Sequence, residues 1–205
     1  MLKNLSITEF LEKTASSSPV PGGGSVAALA AALAASLAEM VANLTIGKKG
    51  FEDVDREMKA IAKKTRNYRD KLVQDIDKDA DSYKAVVAAY GMAKATDEEK
   101  LKRTTAIQEA LKQAALVPLK VAGDAADLLE LSGKVAKKGN KNAITDAAVG
   151  VMMARTAVLA ALYNVKTNLN SIKDPSFVDS ISKDVNALEE RILQREKELL
   201  SEIDL

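Results

Sequence analysis

The sequence predicts an all-α fold, a bundle of about six helices that includes one very long helix. Three observations support this prediction. No segment shows the alternation of apolar and polar residues, or the clustering of β-branched residues, that is typical of a β-strand. Apolar residues instead recur at helical spacing along most of the chain. The 205 residues are also enough for one domain with a complete core, so we expect a single helical domain over residues 1–205.

Three helices are expected in the first half of the chain. A short helix over residues 6–15 opens with Ser6 and Glu9, which have the spacing of a capping box. The second helix, over about residues 26–45, is rich in alanine, which lets neighbouring backbones approach closely. We therefore expect it at the centre of the bundle, where it can also lie against its own copy. The third helix, the very long one, covers about residues 53–93.

Three more helices are expected in the second half. The fourth covers about residues 96–131, and the lysine-rich stretch over residues 133–141 is predicted to be a connection. The fifth covers about residues 142–172. The pair Asp174-Pro175 has the residue types that open a helix, so the last helix should begin there and run almost to the C terminus.

The composition argues against several classes of function. Cysteine and histidine are both absent, which excludes a disulfide framework and argues against a zinc or haem site. Any acid–base chemistry must therefore come from Asp, Glu, Lys or Tyr. The 30 basic and 29 acidic residues are mixed along the chain, and there is no Trp and few other aromatic residues, so we expect no nucleic-acid partner.

The same sequence predicts a cytoplasmic protein with no membrane partner. The apolar part of the alanine-rich helix is too short, and too small in side-chain volume, to span a bilayer comfortably. It also lies too far inside the chain, without a basic leader, for a signal peptide.

A glycine-rich segment at Pro19–Ser25 precedes the alanine-rich helix. Prolines and glycines in succession interrupt regular structure, so the segment should form a tight turn. Ser25 is expected to cap the helix by accepting a hydrogen bond from its first turn. The free N–H groups and the positive end of the helix dipole there suit an anionic oxygen. The alternative is a plain turn between two helices.

Asp79 is an acid in an unexpected place. Helical geometry puts it on the apolar stripe of the very long helix. An acid there must be paired, reached by water or raised in pKa. A raised pKa is what a general acid needs. The alternative is a structural acid that bonds to a Lys, an Arg or a backbone N–H of another helix.

One face of the fifth helix combines Asp146, Asn164 and Asn168 with glycine and alanine. This face has no large aliphatic residue, yet it lacks the charge of a solvated surface. It can line a cleft in which Asn and Asp form directional bonds to a polar heterocycle and the small residues leave room for it. The alternative is close packing of two helices through the glycine and alanine residues.

Two lysines, Lys48 and Lys49, follow the alanine-rich helix at its C-terminal end. At 1.5 Å per residue, about 30 Å separates them from the glycine-rich turn in the same subunit. If both ends of this helix serve one ligand, two subunits must contribute to the site.

Three blocks of sequence occur in order along almost the whole chain. The first is Pro21-Gly-Gly-Gly-Ser-Val-Ala-Ala with its continuation Met40-Val-Ala-Asn-Leu-Thr-Ile-Gly-Lys-Lys49. The second is Gly139-Asn-Lys-Asn-Ala-Ile-Thr-Asp146 with Asn164-Val-Lys-Thr-Asn-Leu169, and the third runs over residues 79–89. Together they resemble the cyclodeaminase/cyclohydrolase family of folate enzymes. The departure is Thr145, where serine is expected, and it retains the hydroxyl.

The resemblance implies an all-helical homodimer that acts on one-carbon tetrahydrofolates without a metal or redox cofactor. We expect cyclisation of 5-formiminotetrahydrofolate to 5,10-methenyltetrahydrofolate with loss of ammonia. The alternative within the family is hydrolysis of the methenyl compound to 10-formyltetrahydrofolate. Bifunctional eukaryotic members join this domain to a formiminotransferase, and the expected absence of that domain here slightly favours hydrolysis. A non-catalytic helical scaffold is the further alternative.

The resemblance also suggests roles for individual residues. Either Asp79 or Asp146 is expected to transfer protons, the asparagines to orient the pterin, the glycine-rich turn to approach the ligand and the lysines to meet the glutamate tail. The candidate substrate-binding residues are Gly22, Gly23, Gly24, Ser25, Asn43, Lys48, Lys49, Asn140, Asn142 and Asn164.

Overall fold

The structure is a computed structural model that describes residues 1–203. It contains six α-helices and, within those residues, no strand, so the prediction of an all-α bundle of about six helices is confirmed. The helices are α1 (Ile7–Ala15), α2 (Gly23–Asn43), α3 (Asp55–Tyr90), α4 (Asp97–Lys138), α5 (Ile144–Leu169) and α6 (Pro175–Ser201). Short 3₁₀ helices lie at Leu2–Asn4, Glu52–Val54 and Lys141–Ala143.

The four helices α2 to α5 form the core of the bundle. The alanine-rich helix α2 contacts α3, α4 and α5, while α6 packs mainly on the outside of α5. Most α2 alanines are fully buried, because a methyl side chain fills the narrow space where neighbouring backbones come close. This helix therefore lies at the centre of the bundle, as expected.

The start of α2 differs from the prediction. The helix begins at Gly23 rather than at Val26, and Gly22 precedes it as a cap that has no side chain to bond. Ser25 lies inside the first turn and is fully buried, so the prediction that Ser25 caps the helix is wrong. Glycine disfavours the helix, but here it leaves space that side chains of α3 and α5 occupy.

The end of α4 also differs from the prediction. This helix continues to Lys138, so the predicted connection over residues 133–141 is wrong for most of its length. Gly133 does not break the helix, because it is a packing position: a Cβ there would lie 2.5 Å from Leu199 Cδ2 of α6. The bundle therefore has two very long helices, α3 of about 54 Å and α4 of about 63 Å.

A buried glutamate paired with two partly exposed arginines links α2 to α3. Glu39 is almost fully buried on α2, and its carboxylate accepts hydrogen bonds from Arg66 Nε at 2.8 Å and Arg69 Nη1 at 2.5 Å. A buried carboxylate left without these donors is strongly destabilising, so the pairing favours one register of the two helices. That register determines which part of α3 faces the glycine-rich start of α2.

Within residues 1–203, two segments are apolar enough, by length and composition alone, to cross a membrane, Gly23–Asn43 and Lys141–Leu169. Within the fold, 67% and 50% of their most apolar windows are buried. Both belong to the core of the bundle, where a helix surrounded by other helices needs an apolar surface.

Candidate active site

A cavity of about 260 Å³ lies at the N-terminal end of α2, where α3, α4 and α5 converge on the glycine-rich turn. It contains residues that three separate sequence patterns had suggested. Its lining consists of Pro19, Val20, Gly22, Gly23, Gly24, Asp79, Ser82, Tyr83, Val86, Ala114, Asn164, Thr167 and Asn168.

The two glycines that open α2 allow the side chains of α3 and α5 to come close. A Cβ on Gly24 would overlap the carboxylate of Asp79, and one on Gly23 would lie 3.0 Å from Asn164 Nδ2. Glycine is therefore required here by the contact between elements rather than by a left-handed backbone, since neither residue has a positive φ.

Asp79 is the acid of this cavity. Burial raises its pKa above the usual range, and hydrogen bonds from Ser25 partly oppose the rise. The Ser25 hydroxyl lies 3.0 Å from Asp79 Oδ2. Among the described residues, no lysine or arginine lines the cavity to hold Asp79 ionised. Asp79 therefore stays protonated to a higher pH than an exposed aspartate does, as a group that gives and takes protons requires.

Two asparagine amides on α5 are held in place by the helical backbone. Asn164 Nδ2 donates to Ala160 O, and Asn168 Nδ2 donates to Ala114 O of α4, each at 2.8 Å. Each bond uses one N–H of the amide, so the carbonyl oxygen and the second N–H remain for a ligand. The cavity therefore combines fixed amide groups with one acid.

A different set of predicted residues lies at the opposite end of α2. Lys48 Nζ donates to Asn140 Oδ1 at 2.7 Å, and the main-chain N–H of Asn140 donates to Thr45 Oγ1 at 2.8 Å. Beside them is an open cavity of about 510 Å³, which we call the lysine cavity. It is lined by Gly47, Lys48, Lys49, Phe51, Glu52, Asp55 and Lys59.

The structure therefore separates the predicted site residues into two groups. Gly22, Gly23, Gly24, Asp79 and Asn164 line one cavity, and Ser25 lies buried beneath it. The others lie near the C-terminal end of α2, about 30 Å away. They are Asn43, Lys48, Lys49, Asn140, Asn142 and Asp146.

Asp79 and Asp146 belong to different groups. Asp146 is in the first turn of α5, and Asn164, which faces Asp79 across the cavity, is five turns later on the same helix. The rise of an α-helix puts about 27 Å between those two positions. Within one chain, the two acids cannot act on the same atom of a ligand.

Comparison with known proteins identifies the family of this chain. A family model described as Formiminotransferase-cyclodeaminase matches residues 6–187. The chain belongs to this family. The resemblance noted from its three sequence blocks is thereby confirmed.

The related proteins in this cyclodeaminase family are named either cyclohydrolase or cyclodeaminase. The chain is 40% identical over 188 residues to methenyltetrahydrofolate cyclohydrolase from Methylorubrum extorquens, which covers 92% of this chain and 90% of that one. It is 34% identical to formimidoyltransferase-cyclodeaminase from Rattus norvegicus, over 91% of this chain but 35% of that longer protein. The solved structure of formiminotetrahydrofolate cyclodeaminase from Thermotoga maritima superposes with a TM-score of 0.84, at 35% identity and over 98% of both chains.

The cavity of this family member also contains side chains that the sequence prediction did not include among its site residues. Ser82 and Tyr83 lie three and four residues after Asp79 on α3, and Thr167 follows Asn164 by three on α5. Residues three and four apart share a helix face. Extending each predicted residue by one helical turn would therefore have identified all three.

Proposed function

We propose that this member of the folate one-carbon family cyclises 5-formiminotetrahydrofolate to 5,10-methenyltetrahydrofolate and releases ammonia. The observation that carries the proposal is the position of Asp79, an acid of raised pKa among fixed amide groups, with no lysine or arginine among the described residues that line its cavity. The relatives are enzymes named for reactions of tetrahydrofolate compounds, so the same substrate class is proposed here.

The proposed reaction requires two proton transfers that one acid can perform in turn. Nitrogen N10 attacks the formimino carbon, the new N10–C bond closes the ring, and Asp79 accepts the proton that N10 loses. The bond from that carbon to the formimino nitrogen then breaks, and Asp79 returns the proton to the departing nitrogen. A second proton from solvent completes ammonia and leaves the methenyl product as a cation. A group with a pKa near the working pH serves both steps best.

The cavity is large enough for part of the substrate only. Its volume of about 260 Å³ lies below the range of roughly 300–1,000 Å³ for sites that enclose a drug-sized ligand. We assign the pterin and its one-carbon group to this cavity, where Asn164 and Asn168 can bond to ring nitrogens and oxygen. The glutamate tail then extends out of it and meets lysine side chains.

Hydrolysis of 5,10-methenyltetrahydrofolate to 10-formyltetrahydrofolate is the second candidate. It is favoured by the 40% identity to the Methylorubrum cyclohydrolase over most of both chains. Here Asp79 would take a proton from water as it adds to the methenyl carbon, and would give that proton to N5 as the C–N5 bond breaks. The hydroxyl group left on that carbon releases its remaining proton to solvent as the formyl C=O forms. The same acid in the same cavity serves either reaction.

Absorbance of 5,10-methenyltetrahydrofolate tests the proposal directly. With purified protein and 5-formiminotetrahydrofolate, we expect this absorbance to rise faster than in buffer, together with release of ammonia. A parallel measurement follows its loss when the methenyl compound is supplied. Accelerated loss without accelerated formation would assign the hydrolytic reaction instead. No acceleration in either assay and no folate binding would contradict the proposal and favour a non-catalytic helical scaffold.

We further propose that the working protein is a homodimer in which α2 lies against its own copy. Val26, Leu33 and Met40 recur every seven residues along the outer face of α2, and each remains at least 38% exposed. Val149 and Met152 extend this apolar surface onto α5. An apolar stripe at this spacing is typical of a helix that packs on another helix.

A two-fold dimer through this stripe would bring the two groups of predicted residues together. If the two-fold axis runs perpendicular to α2 and passes near Leu33, in the middle of the helix, the two copies of the helix run antiparallel. The glycine-rich end in one subunit then lies beside the partner's lysine cavity. In such a dimer, Asp79 and Asn164 of one subunit share a ligand with the lysine end of the other.

Leu33→Glu tests the shared site. A charge in the middle of the apolar stripe should give a folded monomer by light scattering, and folate turnover should fall at least about 10-fold because each site loses half of its residues. Leu101→Glu is the control, since Leu101 is 70% exposed at the start of α4. It should leave mass and turnover unchanged. A monomeric Leu33→Glu variant with full turnover would contradict the shared site.

The remaining expectations for this chain stand as proposals. We propose a cytoplasmic enzyme that needs no metal or redox cofactor and binds neither nucleic acid nor membrane. The chemistry supports the proposal that no metal or redox cofactor is needed, because ring closure and water addition proceed by proton transfer alone. Within residues 1–203, no group of three or more acidic side chains is arranged to hold a metal ion.

A further inference from the structure

Ser25 is fully buried beneath the cavity and does not line it, although the sequence suggested a ligand-binding role. Its hydroxyl lies 3.0 Å from Asp79 Oδ2 and also 3.0 Å from the main-chain oxygen of Ile76. A serine hydroxyl has one proton to donate and two lone pairs that accept. At any moment, therefore, it donates to only one of these two oxygens.

We propose that Ser25 is a positioning residue that keeps Asp79 hydrogen-bonded, in one orientation, in both of its protonation states. When Asp79 is ionised, the Ser25 hydroxyl donates to Oδ2. When Oδ2 carries a proton, that O–H donates to Ser25 Oγ, and the hydroxyl rotates to donate to Ile76 O. The heavy atoms stay in place while the proton arrives and leaves. The importance of this exchange for turnover rests on the proposed function.

The other groups around Asp79 do not perform this positioning role. Tyr83 is the other titratable side chain among the residues that line the cavity. The groups that α2, α4 and α5 contribute to it are uncharged: glycines, an alanine, a threonine and asparagines. The charged groups on the preceding turn of α3 are bound elsewhere, Asp75 with Lys71 and Lys78, and Asp77 with the main-chain N–H of Leu2.

The fixed position of Ile76 O makes the exchange possible. This oxygen belongs to the backbone of α3, three residues before Asp79, so it moves with the acid as one rigid unit. Its second lone pair can accept from a side chain while the helical bond is kept. Ser25 therefore loses no hydrogen bond when Asp79 becomes protonated, and neither protonation state leaves a buried polar group unsatisfied.

The alternative is that Ser25 only links α2 to α3 through Ile76 O. Such a structural role would affect stability but would leave the titration of Asp79 unchanged. The two roles therefore differ in a quantity that can be measured without substrate. That quantity is the pH at which the Asp79 carboxyl group titrates, read from the ¹³C signal assigned by its absence in Asp79→Asn.

The experiment compares Ser25→Ala with Ser36→Ala in the full chain. Ser36 is on the same helix, but its hydroxyl donates to Ala32 O within α2. In Ser25→Ala, Asp79 should titrate at higher pH than in the wild type, because the carboxylate loses the charge-assisted bond from the hydroxyl and keeps only the one from the main chain of residue 25. The corresponding limb of the pH profile of kcat should move the same way, with turnover at pH 7 falling about 10-fold. Ser36→Ala should change neither.

The outcomes separate this inference from the proposed function. An unchanged Asp79 titration in Ser25→Ala would overturn the inference. A shifted titration in a protein without folate turnover would support the pairing of Ser25 with Asp79 and contradict the proposed function. If Ser25→Ala does not fold, Ser25→Cys keeps a side chain of similar size with a weaker donor. Its Asp79 titration should shift in the same direction, and an unchanged titration there would again overturn the inference.

Discussion

Asp79→Asn should lower folate turnover by about 10²- to 10⁴-fold, the usual contribution of a positioned general acid or base. Asparagine has nearly the same shape as aspartate, and its Oδ1 can still accept the hydroxyl proton of Ser25. What it lacks is the ability to take up and release a proton at the reacting atoms. Steady-state measurement of kcat with the methenyl or formimino substrate checks the expectation.

The same variant should fold at least as stably as the wild type at pH 7. Burial raises the pKa of Asp79 in the folded state, so folding favours its protonated form. The stability from this preference is complete below the unfolded pKa and is lost as the pH rises through the folded pKa. Asparagine does not ionise and avoids that loss. A thermal melt can therefore separate lost chemistry from lost structure.

Asp81→Asn is the matched control for this substitution. Asp81 lies two residues later on α3, exposed to solvent, where it forms a surface ion pair with Lys84. Such pairs contribute little to stability, so turnover and melting temperature should stay close to those of the wild type. If Asp79→Asn also kept full turnover, Asp79 would not be the proton-transferring group.

Gly24→Ala should be the second severe substitution, with turnover reduced about 100-fold or more in a protein that still folds. The added methyl group would occupy the position of the Asp79 carboxylate, which must then rotate away from Ser25 and the cavity. Displacing a reacting group by about 1 Å can cost this much in rate. Elsewhere in a helix, replacing glycine by alanine is stabilising. The contact with Asp79 makes this position different.

Gly123→Ala is the matched control, the same substitution at a position with no contact like that between residue 24 and Asp79. Gly123 is exposed on α4, and no atom lies within 4 Å of the position a Cβ would take. Alanine there should stabilise the protein by about 0.5–1 kcal/mol and leave turnover unchanged. A large loss of turnover in Gly123→Ala would show that the bundle tolerates no such change, and would remove the special explanation for Gly24.

A double-mutant cycle tests whether Gly24 acts through Asp79. In the Asp79→Asn background the proton-transferring group is already gone, so adding Gly24→Ala should lower turnover little further. Residues that act as one unit are strongly non-additive in this way. Full additivity of the two losses would instead mean that Gly24 contributes independently, for example by direct contact with the ligand.

The signals that start some of the helices could be recognised in the sequence because they are local. The capping box of Ser6 with Glu9 is present, and Asp174 caps α6 as expected. Each depends on residues within three positions of one another. The errors came where a distant contact overrode the local signal, as at Gly133, which remains helical because α6 packs directly against it.

The site could be predicted as separate candidates but not as a group. Gly24, Asp79 and Asn164 are candidates for three unrelated reasons: a turn, an acid on an apolar stripe and a polar face. Nothing local connected them, whereas the register of α2 against α3 and α5 brings them together. The same register places Asp146 at the far end of the bundle, which no inspection of a single helix could have shown.

Composition and local pattern alone were enough for the helical class, the family resemblance and the residue types available for proton transfer, because these properties reside in single residues or short segments. Tertiary structure alone decided which acid lies in the cavity with the glycines, and that Ser25 bonds to Asp79 instead of capping its helix. The physical reason is that the effect of a carboxylate depends on its desolvation and its hydrogen-bond partners. Both are properties of neighbours that are far away along the chain and adjacent only in the folded bundle.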